Sequence, residues 1–496
     1  LGYLLKDFSC WTSTHGIPHI GMANAMWLRI MWILVVCCCI LGFIIQLEFL
    51  IKKYLSYRVN TETVLEYSER PFPVITVCHM NPWKLDAVQA SPFMKDMIAA
   101  YTDTTEQHPE FGFFAFNGER QQTAQALTSL AFDYLQDLVN DVDNITAPED
   151  PAYTYDDLIV SCTYNAETCN SSDFTNTMDQ YFGRCLTFNS NETQMSSRAG
   201  PLYGLQLTIK TDMSQYLPWT DSSGVVISIH NKSDPPYPDI YGYYAPPGIA
   251  ASLALDFTTT TRLPAPFGDC TELQETEMQN YNGMYQTEAC IRSCLQEQIV
   301  LQCKCYSPAL NYISHDDSIP SCFDPDDPTT TYETYGQCIY DIMYNTAEGF
   351  DMNTNCTCPQ PCVDNEFAVT VSTALWPANM YTPNECTAAD QSGEPWYVAG
   401  QNDTKEACIA WYQKNTLLVE IFYEQMNYNV LSESQAYSLV SLISEIGGQV
   451  GLFLGMSIIS VFEFLTLVLL IIYYVTSHSS RKVELEELEK TIEKTK

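Results

Sequence analysis

Two stretches of this chain lose the mixing of polar and apolar positions altogether. From Trp27 to Leu50 it reads "WLRIMWILVVCCCILGFIIQLEFL", and from Val450 to Val475 "VGLFLGMSIISVFEFLTLVLLIIYYV". Each exceeds the roughly 20 apolar residues that cover a bilayer's hydrocarbon core, so two transmembrane helices are expected. A buried core helix is the alternative for either. A cleaved signal peptide fits the first poorly, because its apolar run is long and no small-residue cleavage site follows promptly. Between the two runs the pattern becomes globular. "PVITVC" (73–78), "YGLQLTIK" (203–210) and "GVVISIH" (224–230) read as strands. "SLAFDYLQDLV" (129–139) and "TEACIRSCLQEQIVLQC" (287–303) carry helical spacing, and prolines at 235–238 and 246–247 mark loops. The predicted fold class is a membrane protein with two transmembrane helices and a large mixed α/β domain.

The implied segments are 1–26, the helix 27–50, the domain 51–438, a lead-in segment and second helix at 439–475, and 476–496. The chain opens at Leu1 without a methionine, which reads as a trimmed start. Charge alters the picture in one direction. Sixty Asp and Glu against 23 Lys and Arg leave a formal net charge of -37, which repels nucleic acid and favours cations or basic ligands.

Cysteine indicates the side of the membrane. Of 20 cysteines, Cys10 and Cys37–Cys39 lie before or inside the first apolar run, and the other 16 fall between Cys78 and Cys408. A dense, even set reads as a disulfide framework in an oxidising compartment. Tight clusters such as Cys290/Cys294 and Cys356/Cys358/Cys362 could instead hold zinc, although paired C-x2-C hooks are absent. Six glycosylation sequons share the segment, at Asn144, Asn170, Asn191, Asn231, Asn355 and Asn402. The expected placement is the plasma membrane, with the middle outside and both termini cytoplasmic.

The second apolar run has two unusual strips. Gly447, Gly451 and Gly455 recur every four residues, a spacing that lets helices approach closely in lipid. Ser457, Ser460 and Glu463 then recur every three, and an ionisable residue in a span normally faces a cavity or a partner. Two helices cannot enclose a water-filled path, so a pore requires several chains. The plainer reading is a two-pass anchor that dimerises through its glycines. No G-x-S-x-G elbow, H-E-x-x-H helix or phosphate-cradling glycine loop suggests an enzyme, and no span carries the arginine ladder of a voltage sensor.

Several ordered motifs, "STHGIPHIG" (13–21), "RPFPVITVCHMNP" (70–82), "RLPAPFGDC" (262–270), "CTCPQPCVDNEFAVTVSTALWP" (356–377) and "GGQVGLFLGMS" (447–457), resemble those of the degenerin/epithelial sodium channel superfamily, which includes the acid-sensing channels. The resemblance runs from about residue 12 to 475. It implies a homotrimer whose ectodomain is divided into palm, β-ball, finger, knuckle and thumb. It also implies sodium as the permeant ion, amiloride as blocker and no cofactor.

By the same resemblance Gly455, Met456 and Ser457 stand where the family has its G-x-S filter, an unwound step whose carbonyls replace part of a sodium ion's hydration shell. Ser444 takes the "degenerin" position near which amiloride binds. Glu445, Gly448, Gly451 and Ser460 are expected to line the pathway, and Glu463 to hold cations at its inner mouth. The family's second acid, three residues further on, is here Thr466. His15 and Gly16 match the His-Gly gating motif, expected to fold back under the filter. The implied disulfides are Cys78–Cys185, Cys162–Cys169, Cys270–Cys362, Cys290–Cys358, Cys294–Cys356, Cys303–Cys338 and Cys305–Cys322. Cys386 and Cys408 fall outside those seven and are left for an eighth.

The stimulus is less legible. The Arg-x-x-Arg and PPxY motifs of constitutive epithelial subunits are missing, and the positions where many acid-sensing channels carry a histidine pair hold Tyr57 and Arg58. The overall character of "HGIPHIG" and "PFPVITVCHMNPWK" is similar to invertebrate FMRFamide-gated channels. An amidated peptide bearing two Phe rings and an Arg wants aromatic pockets beside a carboxylate. The stretch 110–137 offers Phe111, Phe113, Phe114, Phe116, Phe132 and Tyr134 beside Asp133. These aromatics could equally pack finger helices. Proton gating through clustered carboxylates and mechanical gating remain alternatives, with a non-conducting two-pass receptor a more distant one.

Overall fold

The computed structural model describes residues 8–106 except Cys10, 150–272 except 180, 192 and 233, 284–307, 318–322, 356–387 and 404–494. It also describes residues 131, 135, 280, 281, 310, 335, 338, 339, 342, 395 and 396. The chain forms two units: Glu62–Ser432, and Leu1–Thr61 together with Glu433–Lys496.

The central unit is organised around strand Thr416–Tyr423, "TLLVEIFY", whose apolar majority is buried while its one charge is satisfied in place. Glu420 accepts hydrogen bonds from Ser252 Oγ at 2.6 Å and Gln206 Nε2 at 3.3 Å. On one side of this strand lies Ile249–Thr261 in parallel register (Ala250 opposite Leu418), and on the other Leu205–Lys210, antiparallel (Leu207 opposite Val419). Ile159–Tyr164 and Glu167–Thr168 continue beyond Leu205–Lys210, and Asn427–Gln435 and then Val59–Tyr67 extend the opposite edge. The return strand Val363–Leu375 pairs antiparallel with all of Ile249–Thr261, from Thr261 opposite Val363 to Ile249 opposite Leu375.

A second sheet orders Gly242–Ala245, Val225–His230, Val74–His79, Gly183–Phe188 and Phe174–Asp179. Val74–His79 is buried along its whole length, as a near-continuous run of β-branched residues favours. The two sheets share one core that includes Phe72, Ile75, Leu186, Leu207, Ile227, Leu253, Val419 and Tyr423. The segment 287–303 is helical throughout and ends at Lys304, which takes a left-handed conformation with φ 61°. The loop read at 235–238 differs in part: Pro238 opens a short helix, Pro238–Tyr241, a position where its missing N–H costs nothing.

Disulfides join Cys78–Cys185, Cys162–Cys169, Cys270–Cys362, Cys290–Cys358, Cys294–Cys356, Cys303–Cys338, Cys305–Cys322 and Cys386–Cys408. The helix 287–303 has no strong apolar face, and Cys290, Cys294 and Cys303 tether it at both ends. No cluster of His, Cys, Asp or Glu suited to a metal ion occurs among the described residues.

The other unit is helical. Ile17–Met22 precedes Met26–Leu55, and Leu439–Leu454 precedes Ile458–Lys494. Met26–Leu55 and the portion Ile458–Thr476 are long and apolar enough to cross a membrane. The apolar run 450–475 is therefore not one continuous helix but two, interrupted at residues 455–457.

Candidate functional site

The interruption arises from local chemistry. Ser438 caps Leu439–Leu454 by accepting the N–H of Ser441 at 3.1 Å, and the helix ends at Gly455, whose φ of 59° is left-handed. Ser460 Oγ then accepts the N–H of Ser457 at 3.1 Å, and the Ser457 carbonyl accepts from Val461 at 3.3 Å, starting the next helix. One helix is thus closed by a glycine and the next opened by serines within three residues. The carbonyls of Gly455 and Met456 accept no hydrogen bond among the described residues.

The N-terminal segment lies against this break. His15 N donates to the Leu454 carbonyl at 3.1 Å. The imidazole packs so closely on Gly455 that a Cβ built there would stand 1.7 Å from Nδ1. Gly16 has φ 90°, and a Cβ on it would meet Val36 Cγ2 at 2.5 Å. His19 stacks on Trp32 at 4.4 Å and Phe8 lies 5.2 Å from the Phe464 ring, fixing the segment to both long helices. Below the break, Glu463 Oε2 accepts Thr12 Oγ1 at 3.0 Å, Ser13 N at 2.8 Å and Ser13 Oγ at 3.1 Å. Ser13 and Ser460 hydroxyls are 2.6 Å apart.

The structure therefore brings His15, Gly16, Gly455, Ser457, Ser460 and Glu463 together around residues 455–457. The other glycines of the ladder are unfilled within the chain. Cβ atoms at Gly447 and Gly448 would meet nothing within 4 Å, and one at Gly451 only the Met456 carbonyl at 3.8 Å. The close helix approach within the chain is at Gly42, where a Cβ would lie 2.9 Å from Phe453 Cε1. Ser444 and Glu445 are exposed near the start of Leu439–Leu454. Glu445 faces Lys53 at 3.5 Å, and the ammonium sits 4.0 Å over the Tyr437 ring.

In the central unit one charged cluster stands out. Arg292, on helix 287–303, pairs with Asp239 Oδ2 at 2.5 Å and Glu288 Oε1 at 2.7 Å and lies over the Tyr237 ring at 4.7 Å. Burial works against its charge, but Glu288 and Asp239 outweigh that and hold its pKa above the usual range. Nearby Asp179 is pushed up to about 6, mainly by burial; the N–H groups of Tyr181 and Phe182 pull the other way. His79 is driven down to about 4 by burial. Its Nδ1 lies 2.6 Å from the Asn81 carbonyl oxygen and 3.0 Å from the Asn81 N, and its Nε2 lies 2.9 Å from the Thr211 carbonyl oxygen. Burial also lowers His230 to about 4.

The aromatic set Phe111, Phe113, Phe114, Phe116, Phe132, Tyr134 with Asp133 lies outside the described residues, as do Asn144, Asn355 and Asn402. Thr12, Ser13 and Arg292 escaped the sequence reading. A run of three hydroxyl residues directly before His15-Gly16 was the available signal for the first two.

The chain thus combines two helices long and apolar enough to cross a membrane, a disulfide-bonded α/β domain and a break just before the second of those helices. The profile of the amiloride-sensitive sodium channel family matches residues 8–467, and the chain belongs to that family. It is 29% identical to degenerin-like protein asic-2 of Caenorhabditis elegans over 488 residues, covering 94% of this chain and 86% of the relative. It is 35% identical to degenerin mec-4 of Caenorhabditis briggsae over 338 residues, spanning 67% of this chain and only 41% of that protein. Among solved structures it has some likeness to a proton-activated chloride channel, with TM-score 0.31 and 8% identity over 89% of this chain and 98% of the other, which carries no argument.

Proposed function

We propose that this chain is the subunit of a trimeric, sodium-selective, amiloride-blocked channel opened from outside by an amidated FMRFamide-type peptide. The observation that carries the conduction reading is the break at residues 455–457. It combines two carbonyls without internal partners and a glycine step backed by His15. Carbonyls fixed at such a step can exchange for water around sodium without burying a formal charge. Gly447, Gly448 and Gly451, unfilled within the chain, leave room for the same helix of neighbouring copies.

Peptide rather than proton gating is supported by His79 and His230. Both stay neutral through mild acidification, because burial holds them near 4. Proton gating is the second reading, and Asp179 favours it by titrating near 6 in the neighbourhood of Asp239 and Arg292. Expressing the chain alone and recording current during an acid step, then during an amidated Phe-rich peptide, each with amiloride, separates the two. Peptide-evoked, amiloride-blocked current is expected, and current to acid alone would overturn peptide gating. If substitutions at Phe113 and Asp133 leave peptide potency unchanged, the finger location is wrong.

A further inference from the structure

Glu463 ends a directed chain of hydrogen bonds that begins at the helix break. Ser457 N–H donates to Ser460 Oγ at 3.1 Å, and Ser13 Oγ donates to Glu463 Oε2 at 3.1 Å. The Ser13–Ser460 contact at 2.6 Å admits either donor when taken alone. Its neighbours decide it. A hydroxyl has one proton to give, and that of Ser13 goes to the carboxylate, so Ser460 must donate to Ser13. The order is Ser457 N–H to Ser460, Ser460 to Ser13, Ser13 to Glu463. Thr12 Oγ1 and Ser13 N close on the same oxygen, while Oε1 accepts nothing among the described residues. Ser460 is wholly buried, and Thr12 is 4% exposed.

We infer that Glu463 is a positioning residue. Through Oε2 it anchors segment 12–16 beneath the break, and it shapes ion selection by holding that segment in place rather than by binding cations as a free charge. The inference rests on the conduction reading above. A lone acceptor meeting three donors fixes both the position and the direction of the chain. Losing it would let the Ser13 and Ser460 hydroxyls reorient and release the Ser457 N–H. Glutamine keeps an acceptor oxygen at the same reach and loses only the charge, so it separates the two roles.

The test uses the full chain expressed alone, with two readouts. In the first, Ser13→Cys with Ser460→Cys is mildly oxidised and the disulfide is quantified by mass spectrometry, which needs no current. Crosslinking is expected in the otherwise native chain and with Glu463→Gln, and to fall at least fivefold with Glu463→Ala. Equal crosslinking with Glu463→Ala, or none in any form, overturns the proposal. In the second, the sodium-to-potassium permeability ratio is read from reversal potentials. Glu463→Gln is expected to stay within about twofold of the native ratio, and Glu463→Ala and Ser13→Ala to lower it together. A glutamine variant as impaired as alanine assigns the role to charge and overturns the positioning claim. A chain that carries no current but crosslinks as expected would refute conduction and leave the anchor standing.

Discussion

The imidazole of His15 occupies the space that a side chain at Gly455 would need. Gly455 is glycine for two reasons that act together: its left-handed φ of 59° and a ring atom 1.7 Å from the built Cβ position. The left-handed conformation alone costs an L-residue roughly 1–2 kcal/mol. The collision must be relieved by moving either His15 or the break itself.

Gly455→Ala is therefore expected to reach the cell surface and lose most of its current, read by surface biotinylation beside whole-cell recording. Adding His15→Ala removes the collision but not the backbone penalty, so the double variant should recover only part. Unchanged current in Gly455→Ala would mean that the His15 packing has no bearing on conduction.

Arg292 sets the stability of the contact between helix 287–303 and the 238–241 turn. Its side chain is 9% exposed, and Asp239 and Glu288 are 20% and 16% exposed. Arg292→Met leaves two largely buried carboxylates without their cation, an arrangement that costs about 3–5 kcal/mol. Thermal unfolding of the purified protein should shift down by several degrees. Arg292→Lys should fall between the two, since it keeps the charge but not the paired hydrogen bonds.

Acid should act on the central unit through groups of opposite sign. His79 and His230 have folded values near 4, below the ordinary 6.5, so the unfolded chain takes up their protons first. Their contribution to stability is lost as pH falls from 6.5 towards 4. Asp179, near 6 when folded against 3.8 otherwise, binds its proton first in the folded state and offsets part of that loss between pH 6 and 4. Asp179→Asn keeps an acceptor for Tyr181 and Phe182 but removes the offset. Stability measured against pH should decline more steeply than in the native chain, by roughly 1.4 kcal/mol per pH unit in that window. His79→Asn should make the decline shallower.

Among the three described sequons the hydrogen bonding differs. Asn231 spends both amide protons, on Asp234 Oδ2 at 2.8 Å and the Asn365 carbonyl at 2.9 Å. A glycan replaces one of them. Asn170 and Asn191 are exposed, and Asn170 engages Ser172 only through its carbonyl oxygen, Oδ1. Glycopeptide mass spectrometry should find sugar on Asn170 and Asn191 and none on Asn231. Full occupancy at Asn231 would show that its side chain is not held as the structure has it.

What the sequence disclosed follows the range of the forces involved. Strand Val74–His79 was legible because a β-branched run is a local signal, and helix Thr287–Cys303 because its 17 residues carry no Gly or Pro to break them. The helix break was not legible from periodicity, since Ser457, Ser460 and Glu463 keep helical spacing in the run 450–475; only the resemblance suggested it. Its causes, a left-handed glycine and a serine cap, act over a few residues but leave little trace in hydrophobic pattern. The Ser13–Glu463 bond joins residues 450 apart in the chain, and Arg292 meets an aspartate 53 positions away. Spacing cannot announce such pairs.

The central claim is that sodium passes the residues of the helix break, and accessibility of position 457 tests it most directly. Ser457 is exposed in the single chain. With Ser457→Cys expressed alone and opened by its agonist, extracellular cadmium at micromolar concentration should block the current, while the native chain is little affected. If the cysteine variant conducts normally and cadmium leaves its current unchanged, the ion path does not run past residues 455–457.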